Sequence, residues 1–224
     1  MKKLLEKIRG QPDLRTLILK TIHHVLYCLR FPNRMKSVPR ISMETELSKF
    51  ITLLKPGRVL DIGAEDAPYQ KSVPATLYVA MDITTAYGAD VVSDINQIGC
   101  TTEAFDTVIA TEVLEHCREP KHAVSELRRV LKPGGVCIIT TRFIHPYHPT
   151  PEDYYRFTWD SLNDIFSGFS QVRIVHHGNT IQSVWAILCT GRKRAFLNVL
   201  NPLIARIRSK KTVNPCGFLV FAVK

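Results

Sequence analysis

The stretch Arg58-Val-Leu-Asp-Ile-Gly-Ala-Glu-Asp66 decides the fold of this chain. Its apolar run ends abruptly at Gly63, and Pro56-Gly57 stands just before it. A short apolar run bounded by glycine and proline is typical of a buried parallel strand. Asp61 places a carboxylate near the carboxyl end of that strand, which is the end where open α/β sheets bind ligands. The stretch therefore predicts a strand that leads into a ligand-binding loop.

A second apolar run ends in Asp82, about 20 residues after the first turn. This spacing suits an acidic residue that binds a ribose, because a carboxylate can accept hydrogen bonds from both hydroxyls. The glycine pattern of the first turn is weak, since Glu65 and Ala67 occupy the two alternate positions after Gly63. The two runs together predict a cleft for a nucleotide-type cofactor.

Strand and helix patterns alternate along the rest of the middle of the chain. Short apolar runs at 89–94, 106–112, 136–141, 172–175 and 218–223 predict strands, and helical spacing predicts helices at 42–54, 120–131 and 159–166. We expect Ser42 and Thr158 to cap the first and last of these helices. Such alternation is typical of parallel βαβ units, so the predicted fold class is α/β.

Charge divides the chain into three parts. Residues 1–40 contain ten Lys/Arg and two Asp/Glu, and residues 191–224 contain eight Lys/Arg and no Asp/Glu. The middle part, residues 41–190, contains twelve Lys/Arg and eighteen Asp/Glu and is therefore acidic. The six cysteines are scattered, without C-x-x-C pairs or clusters at zinc spacing. This pattern favours reduced thiols in a cytoplasmic protein and predicts neither a disulfide framework nor a metal site.

The order of these segments resembles the class I S-adenosylmethionine-dependent methyltransferases. The resemblance rests on residues 59–63, Asp82, Asp94, 105–108, Glu112-Val-Leu-Glu-His116 and 126–135, and it covers residues 40–175 with the last strand. It implies a Rossmann-like, seven-stranded, mostly parallel sheet whose last strand is antiparallel, with helices on both faces. It also implies S-adenosyl-L-methionine as the cofactor.

The resemblance assigns a set of cofactor-binding residues. Asp82 would bind the ribose, Asp94 the adenine amino group, and Asp61 and Gly63 the methionine end; Asp94 could instead cap a helix or turn. The full set is Asp61, Ile62, Gly63, Ala64, Glu65, Asp82, Ile83, Asp94, Ile95, Thr111 and Glu112. Glu65 replaces a glycine of the family, so its side chain could meet the cofactor's α-ammonium or weaken binding.

Histidines near the cleft are the candidate general bases. His116 follows the fourth strand and is the first candidate, although a buried structural histidine explains its position equally well; His145 and His148 are alternatives. His145 and His148 lie within residues 143–158, a segment whose prolines and aromatic residues predict a stiff polar-aromatic lid. This segment resembles a methyltransferase subset with a P-x-D-Y-Y-R-F-T stretch, associated with glycan or cell-surface biosynthesis, in which proline is common at the position of Arg142. The candidate substrate residues of the lid are Tyr147, Asp153, Tyr154 and Arg156, and Arg156 could equally hold the lid in place.

The two basic ends also contain apolar stripes at helical spacing. The chain is predicted to consist of an extension, residues 1–40, and a methyltransferase domain, residues 41–224, with an insertion at about 178–215. The first stripe lies at 14–29 in the extension, and the second lies at 196–207 in the insertion. The first stripe carries too much charge for a membrane span and lacks a signal-peptide cleavage site. Basic amphipathic stripes indicate peripheral contact with an anionic membrane. Packing on the domain, a protein partner or a homodimer face are alternatives, so the protein would be a monomer or homodimer.

These patterns favour O-methylation of a glycan, glycolipid or lipid-linked small molecule. RNA methylation is a second hypothesis, because basic ends attract phosphate, but the middle of the chain is acidic and nucleic acid is the less favoured partner. A non-catalytic scaffold that keeps the fold is the hypothesis from another class, and Glu65 is its support.

Overall fold

A seven-stranded sheet forms the centre of the molecule. The computed structural model describes residues 36–190, 197–209 and 212–224, together with Thr16 and Leu19. The strands are β1 (Gly57–Ile62), β2 (Ala75–Asp82), β3 (Val91–Val92), β4 (Phe105–Thr111), β5 (Leu131–Arg142), β6 (Gln171–His177) and β7 (Gly217–Val223). The helices of the described part are α1 (Val38–Ile51), α2 (Pro120–Val130), α3 (Trp159–Ile165), α4 (Thr180–Leu188) and α5 (Asn201–Ile204), and one-turn 3-10 helices lie at Ile95–Gln97 and Leu114–His116.

The strand order is β3-β2-β1-β4-β5-β7-β6. Strands β1 to β5 pair in parallel, whereas β7 is antiparallel to both β5 and β6. The predicted Rossmann-like sheet with an antiparallel last strand is confirmed. Because β1 and β4 are neighbours at the point where the strand order reverses, their carboxyl ends flank the crevice in which such sheets bind ligands.

Both faces of the sheet are covered, which explains why its strands are nearly continuous apolar runs. Alternate residues of one strand enter opposite layers: Leu60 packs in the cluster that contains Leu127 of α2, and Val59 packs with Met43 and Leu47 of α1. All five side chains are at most 1% exposed. The two layers therefore fix which residues of β1 can reach the cleft at its end.

Two local predictions were wrong. Helix α1 begins at Val38 and is capped by Ser37, whereas the Ser42 hydroxyl donates to Pro39 O within the helix. Residues 132–135 were expected to separate the helix at 120–131 from the strand at 136–141. Strand β5 instead begins at Leu131 and includes these residues, with an irregular register opposite Phe105–Thr107. In the described part of the apolar stripe at 196–207, residues 197–200 form a 3-10 turn that leads into α5, and the stripe at 14–29 lies almost entirely outside the described residues, as does most of the extension 1–40.

Candidate functional site

The loop after β1 forms the floor of the cleft. Gly63 has φ +64°, and a Cβ atom there would lie 2.5 Å from Val113 Cγ2, so only glycine fits this close approach. The Ala64 amide donates to Met81 O at 3.2 Å and ties the loop to β2. The side chains of Ile62 and Ala64 are buried, so these two residues present only backbone to the cleft.

Glu65 and Ala67 keep a glycine-like backbone in this loop. Their φ angles are 46° and 50°, which lie in the left-handed region. That region costs a residue with a Cβ roughly 1–2 kcal/mol. The loop therefore retains the shape expected of a glycine-rich turn, and the Glu65 side chain is exposed to solvent.

Asp82 lies at the end of β2, where its carboxylate meets the loop. Its Oδ2 accepts a hydrogen bond from the Glu65 amide at 3.2 Å, and its Oδ1 accepts one from the Thr84 amide at 3.1 Å. The residue is buried, but each carboxylate oxygen can accept a second hydrogen bond. The adjacent Ile83 side chain is exposed beside it.

Asp61 is a buried carboxylate beneath the loop. The Tyr78 hydroxyl donates to its Oδ2, whereas its Oδ1 has no hydrogen-bond partner among the described residues. Burial raises the pKa of Asp61 to about 6, and the hydrogen bond from Tyr78 opposes that rise. A buried, unpaired acceptor is costly unless a ligand satisfies it.

Asp94 caps the 3-10 helix Ile95–Gln97, as the alternative interpretation of this residue predicted. Its Oδ1 accepts from the Asn96 amide at 2.7 Å and from Asn96 Nδ2 at 3.1 Å. Ile95 packs in the apolar cluster below the sheet edge. Capping leaves the second carboxylate oxygen of Asp94 as an acceptor.

Glu112 and Glu115 share one arginine at the ends of β4 and β5. Arg142 Nε lies 2.6 Å from Glu112 Oε2 and 3.1 Å from Glu115 Oε1, and the Thr141 hydroxyl donates to Glu115 Oε2 at 3.0 Å. Glu112 has φ 58°, and its Oε1 is buried without a partner in the described chain. Burial, followed by the charge of Glu112, raises the pKa of the fully buried Glu115. The sequence pattern did not indicate Glu115 as a residue of this site.

Two histidines at the cleft lie within reach of each other. His116 Nδ1 donates to Glu152 O at 2.7 Å, so in the neutral ring the lone pair lies on Nε2. The His148 ring centroid lies 5.9 Å from that of His116, and partial burial lowers the pKa of His148. His116 is therefore an oriented, half-buried side chain with one ring nitrogen available.

His145 has a different environment. Its ring lies against the Arg142 guanidinium, and its Nδ1 donates to Pro146 O at 2.8 Å. Burial and the positive charge of Arg142 lower the pKa of His145 to about 4. Both ring nitrogens are thus engaged in holding Arg142 and the start of the lid.

The lid is held mainly by its own polar residues. Arg156 pairs with both carboxylate oxygens of Asp153 and donates to Pro146 O, while the His148 amide donates to Asp153 Oδ2. The Arg156 pair lowers the pKa of Asp153 to about 2. Asp153 and Arg156 therefore fix the lid, as the alternative interpretation of Arg156 allowed.

Aromatic faces of the lid point outward. Tyr147 is 74% exposed, and the Tyr154 ring is partly covered by the Arg118 guanidinium at 5.1 Å. The backbone amide of Tyr154 donates to Glu115 O at 2.9 Å and fastens the lid to the end of β4. At the lid's end, Phe157 is buried and Thr158 forms a capping box with Ser161, as expected.

Comparisons with known proteins agree with this architecture. Residues 63–139 match the family model described as a methyltransferase domain. A ubiquinone biosynthesis O-methyltransferase from Haemophilus ducreyi is 34% identical over 61 residues, which are 26% of this chain and 26% of that protein. The chain thus spans about a quarter of the length of this curated relative.

Solved structures share the fold at low identity. A Thermotoga maritima S-adenosylmethionine-dependent methyltransferase has a TM-score of 0.59 at 16% identity, covering 84% of this chain and 91% of its own. Phosphoethanolamine N-methyltransferase 2 of Haemonchus contortus, in complex with phosphomonomethylethanolamine and S-adenosylhomocysteine, has a TM-score of 0.55 at 17% identity, covering 80% and 52%. A methyltransferase of Archaeoglobus fulgidus has a TM-score of 0.57 at 17% identity, covering 81% and 93%.

The described cleft fits S-adenosylmethionine. Gly63 lets the loop pack closely against Val113, Asp82 offers two acceptor oxygens at the end of β2, and Asp61 and Glu112 each keep a buried acceptor atom without a partner in the described residues. Such orphaned acceptors suit the ammonium group of an amino acid moiety. The matched methyltransferase domain over residues 63–139 and the sheet order show that the chain has the fold of the class I S-adenosylmethionine-dependent methyltransferases, the family whose cofactor is S-adenosyl-L-methionine.

Proposed function

We propose that this protein is a cytoplasmic enzyme that transfers the methyl group of S-adenosylmethionine to an oxygen of a glycan, glycolipid or lipid-linked small molecule. One observation supports the proposal above all: carboxylate oxygens of Asp61 and Glu112, buried and without partners among the described residues, lie at the same edge of the sheet as the oriented His116 and the aromatic lid. The 34% identical relative is an O-methyltransferase, which supports an oxygen acceptor.

The carboxylates divide the work of holding the cofactor. Asp82 accepts hydrogen bonds from the ribose hydroxyls with the lone pairs that the two loop amides leave available. Asp61 Oδ1 and Glu112 Oε1 accept from the α-ammonium, which satisfies their buried oxygens. Asp94 uses its remaining oxygen for the adenine amino group, and backbone groups of the loop, together with Thr111, line the methionine end.

The cofactor supplies an electrophilic methyl group, and the chain supplies orientation and a base. Fixed orientation of two reactants can be worth about 7–11 kcal/mol of barrier. Arg142 contributes to that fixed geometry because it holds Glu112 and Glu115 on one side and the first residues of the lid on the other. The lid itself reduces the access of water to the reacting atoms.

His116 is the proposed general base. Its Nδ1 is fixed by Glu152 O, so its Nε2 lone pair can accept the proton of an acceptor hydroxyl. His148 is the second candidate, at 5.9 Å between ring centroids. His145 is the weakest candidate because its two nitrogens already bind Arg142 and Pro146 O.

The acceptor would contact the outward aromatic faces of the lid. Tyr147 and Tyr154 offer flat apolar surfaces beside the proposed base, and such surfaces suit a sugar ring or another cyclic acceptor. Because the two basic ends of the chain attract anionic lipid, we further propose that the enzyme works at the inner face of a membrane.

The test is the release of S-adenosylhomocysteine with a panel of glycans, glycolipids, lipid-linked hydroxy compounds and RNA. With the acceptor identified, His116→Gln should lower kcat by about 10²–10⁴ while leaving cofactor affinity unchanged. His122→Gln, an exposed histidine on α2, is the matched control and should keep the wild-type kcat. Undiminished turnover in His116→Gln would remove His116 from the mechanism, and turnover of RNA alone would replace the proposed acceptor class.

A further inference from the structure

Helix α4 has an inverted pattern of polar and apolar residues. Its exposed side carries Ile181, Val184 and Ile187, which are 54%, 50% and 49% exposed. Its buried side carries Gln182 and Ser183, at 3% and 1%. A helix that only packed on a water-soluble domain would have the opposite arrangement, with its apolar stripe facing the core.

Specific polar bonds fix this orientation. Gln182 Nε2 donates to three backbone carbonyls at 3.0–3.2 Å, those of Ile204, Ala205 and Ile207, and Trp185 Nε1 donates to Asn201 Oδ1 at 2.8 Å. These bonds hold α5 and the residues after it beside α4. The inverted face is therefore built into the fold.

The segment that follows extends the same surface and adds positive charge. Leu203 is 59% exposed, and Val213 is 84% exposed. Arg206 and Arg208 are exposed between them, and residues 178–215 contain seven Lys/Arg and no Asp/Glu. Exposed aliphatic side chains among basic residues are the composition of a surface that lies on anionic lipid.

This surface lies at the same edge of the sheet as the cofactor cleft. Helix α4 begins three residues after β6, whose carboxyl end lies at the edge where β1, β4 and β5 also end. The start of the lid is bonded to the segment that leads into β7, with the Phe143 amide 2.9 Å from Cys216 O. Docking through α4 would therefore bring the lid and the cleft close to the docking plane.

We propose that the outer face of α4, together with the exposed residues from Leu203 to Val213, binds an anionic lipid surface and turns the cleft toward it. The acceptor is then a lipid-anchored molecule that reaches the site from the bilayer. The acceptor part of this inference rests on the proposed function, whereas binding to the lipid surface does not.

The test is flotation of the full chain with two kinds of vesicle. One contains phosphatidylcholine alone, and the other contains roughly one third phosphatidylglycerol. The variant Val184→Glu/Ile187→Glu places charge on the docking face, and Arg206→Glu/Arg208→Glu reverses two of its positive charges. Leu53→Glu/Leu77→Glu is the matched control, because these exposed residues, 59% and 44%, lie at the opposite edge of the sheet.

Wild type and the control should float with the anionic vesicles, and both surface variants should lose at least about tenfold in partitioning. Every variant should keep the wild-type unfolding transition, because all the changed residues are exposed. Absence of wild-type binding, or binding by Val184→Glu/Ile187→Glu at the wild-type level, would overturn the proposal. So would a wild-type dimer that this variant converts to a monomer.

Cofactor titration separates the two proposals. Normal binding of S-adenosylmethionine without vesicle binding would overturn the docking surface and the proposed membrane location, and would leave the proposed methyl transfer standing. Vesicle binding without cofactor binding would overturn the proposed function and leave the docking surface standing.

Discussion

The buried Asp61 gives cofactor binding a defined pH dependence. Burial raises the pKa of Asp61 to about 6, from 3.8, so in the free protein the carboxyl group is protonated below that pH. Its unpartnered Oδ1 is the proposed acceptor for the α-ammonium, which favours the ionised form. Affinity should therefore be nearly full at pH 7 and fall by about tenfold in total between pH 7 and pH 5, which is about 1.4 kcal/mol, with most of the fall below pH 6.

Calorimetric titration of S-adenosylmethionine from pH 5 to pH 7 measures this slope directly. The window stays below the pKa of an α-amino group, roughly 8, so the ligand keeps its charge. Asp61→Asn should bind more weakly at pH 7 and lose the dependence, whereas Asp66→Asn, an exposed carboxylate of the same loop, should behave as wild type. A flat wild-type profile, or an equal slope in Asp61→Asn, would refute the role of Asp61.

Three further changes have expected effects on the free energy of unfolding, measured with urea. Arg142→Met should destabilise the protein by about 3–5 kcal/mol, because it leaves the buried Glu115 and the half-buried Glu112 facing each other without their shared cation. Adding Glu115→Gln should recover part of the loss, and equal stability of Arg142→Met and wild type would contradict this. Glu65→Gly should stabilise by about 1 kcal/mol, since φ is 46° there, and a loss would show that the backbone is unstrained. Thr158→Ala should cost about 1 kcal/mol through the lost capping box, and an unchanged midpoint would oppose it.

The sequence predicted the sheet well because its strands are buried on both faces. Apolar runs that end in Gly63, Asp82 and Thr111 mark the ends of strands independently of where the helices pack. The register of β1 with β2 and β4 brings these strand ends together. The antiparallel last strand followed from the resemblance and is confirmed. Local capping was harder, since Ser37 and Ser42 are both N-cap residue types; the helix begins after Ser37, which places Pro39 in the first turn, where proline is tolerated, and buries Val38.

Features that depend on contacts between distant residues could not be predicted. Glu115 and Arg142 are 27 positions apart, and nothing in either local pattern indicates that they share a buried ion pair. The inverted face of α4 was also missed, because an apolar helix suggests a core element until the bonds of Gln182 show which side faces inward. Sequence periodicity describes a face but does not say what covers it.

The cleft at the ends of β1, β2 and β4 is proposed to bind S-adenosylmethionine. This proposal can be tested by calorimetric titration of S-adenosylmethionine and S-adenosylhomocysteine into wild type, Asp82→Asn and the Asp66→Asn control. We expect saturable binding to wild type and to the control. Binding to Asp82→Asn should be weaker by about 10²-fold, because a hydrogen bond to a charged group contributes about 1.5–3 kcal/mol. Absence of binding to wild type, or equal affinity in Asp82→Asn, would contradict the account.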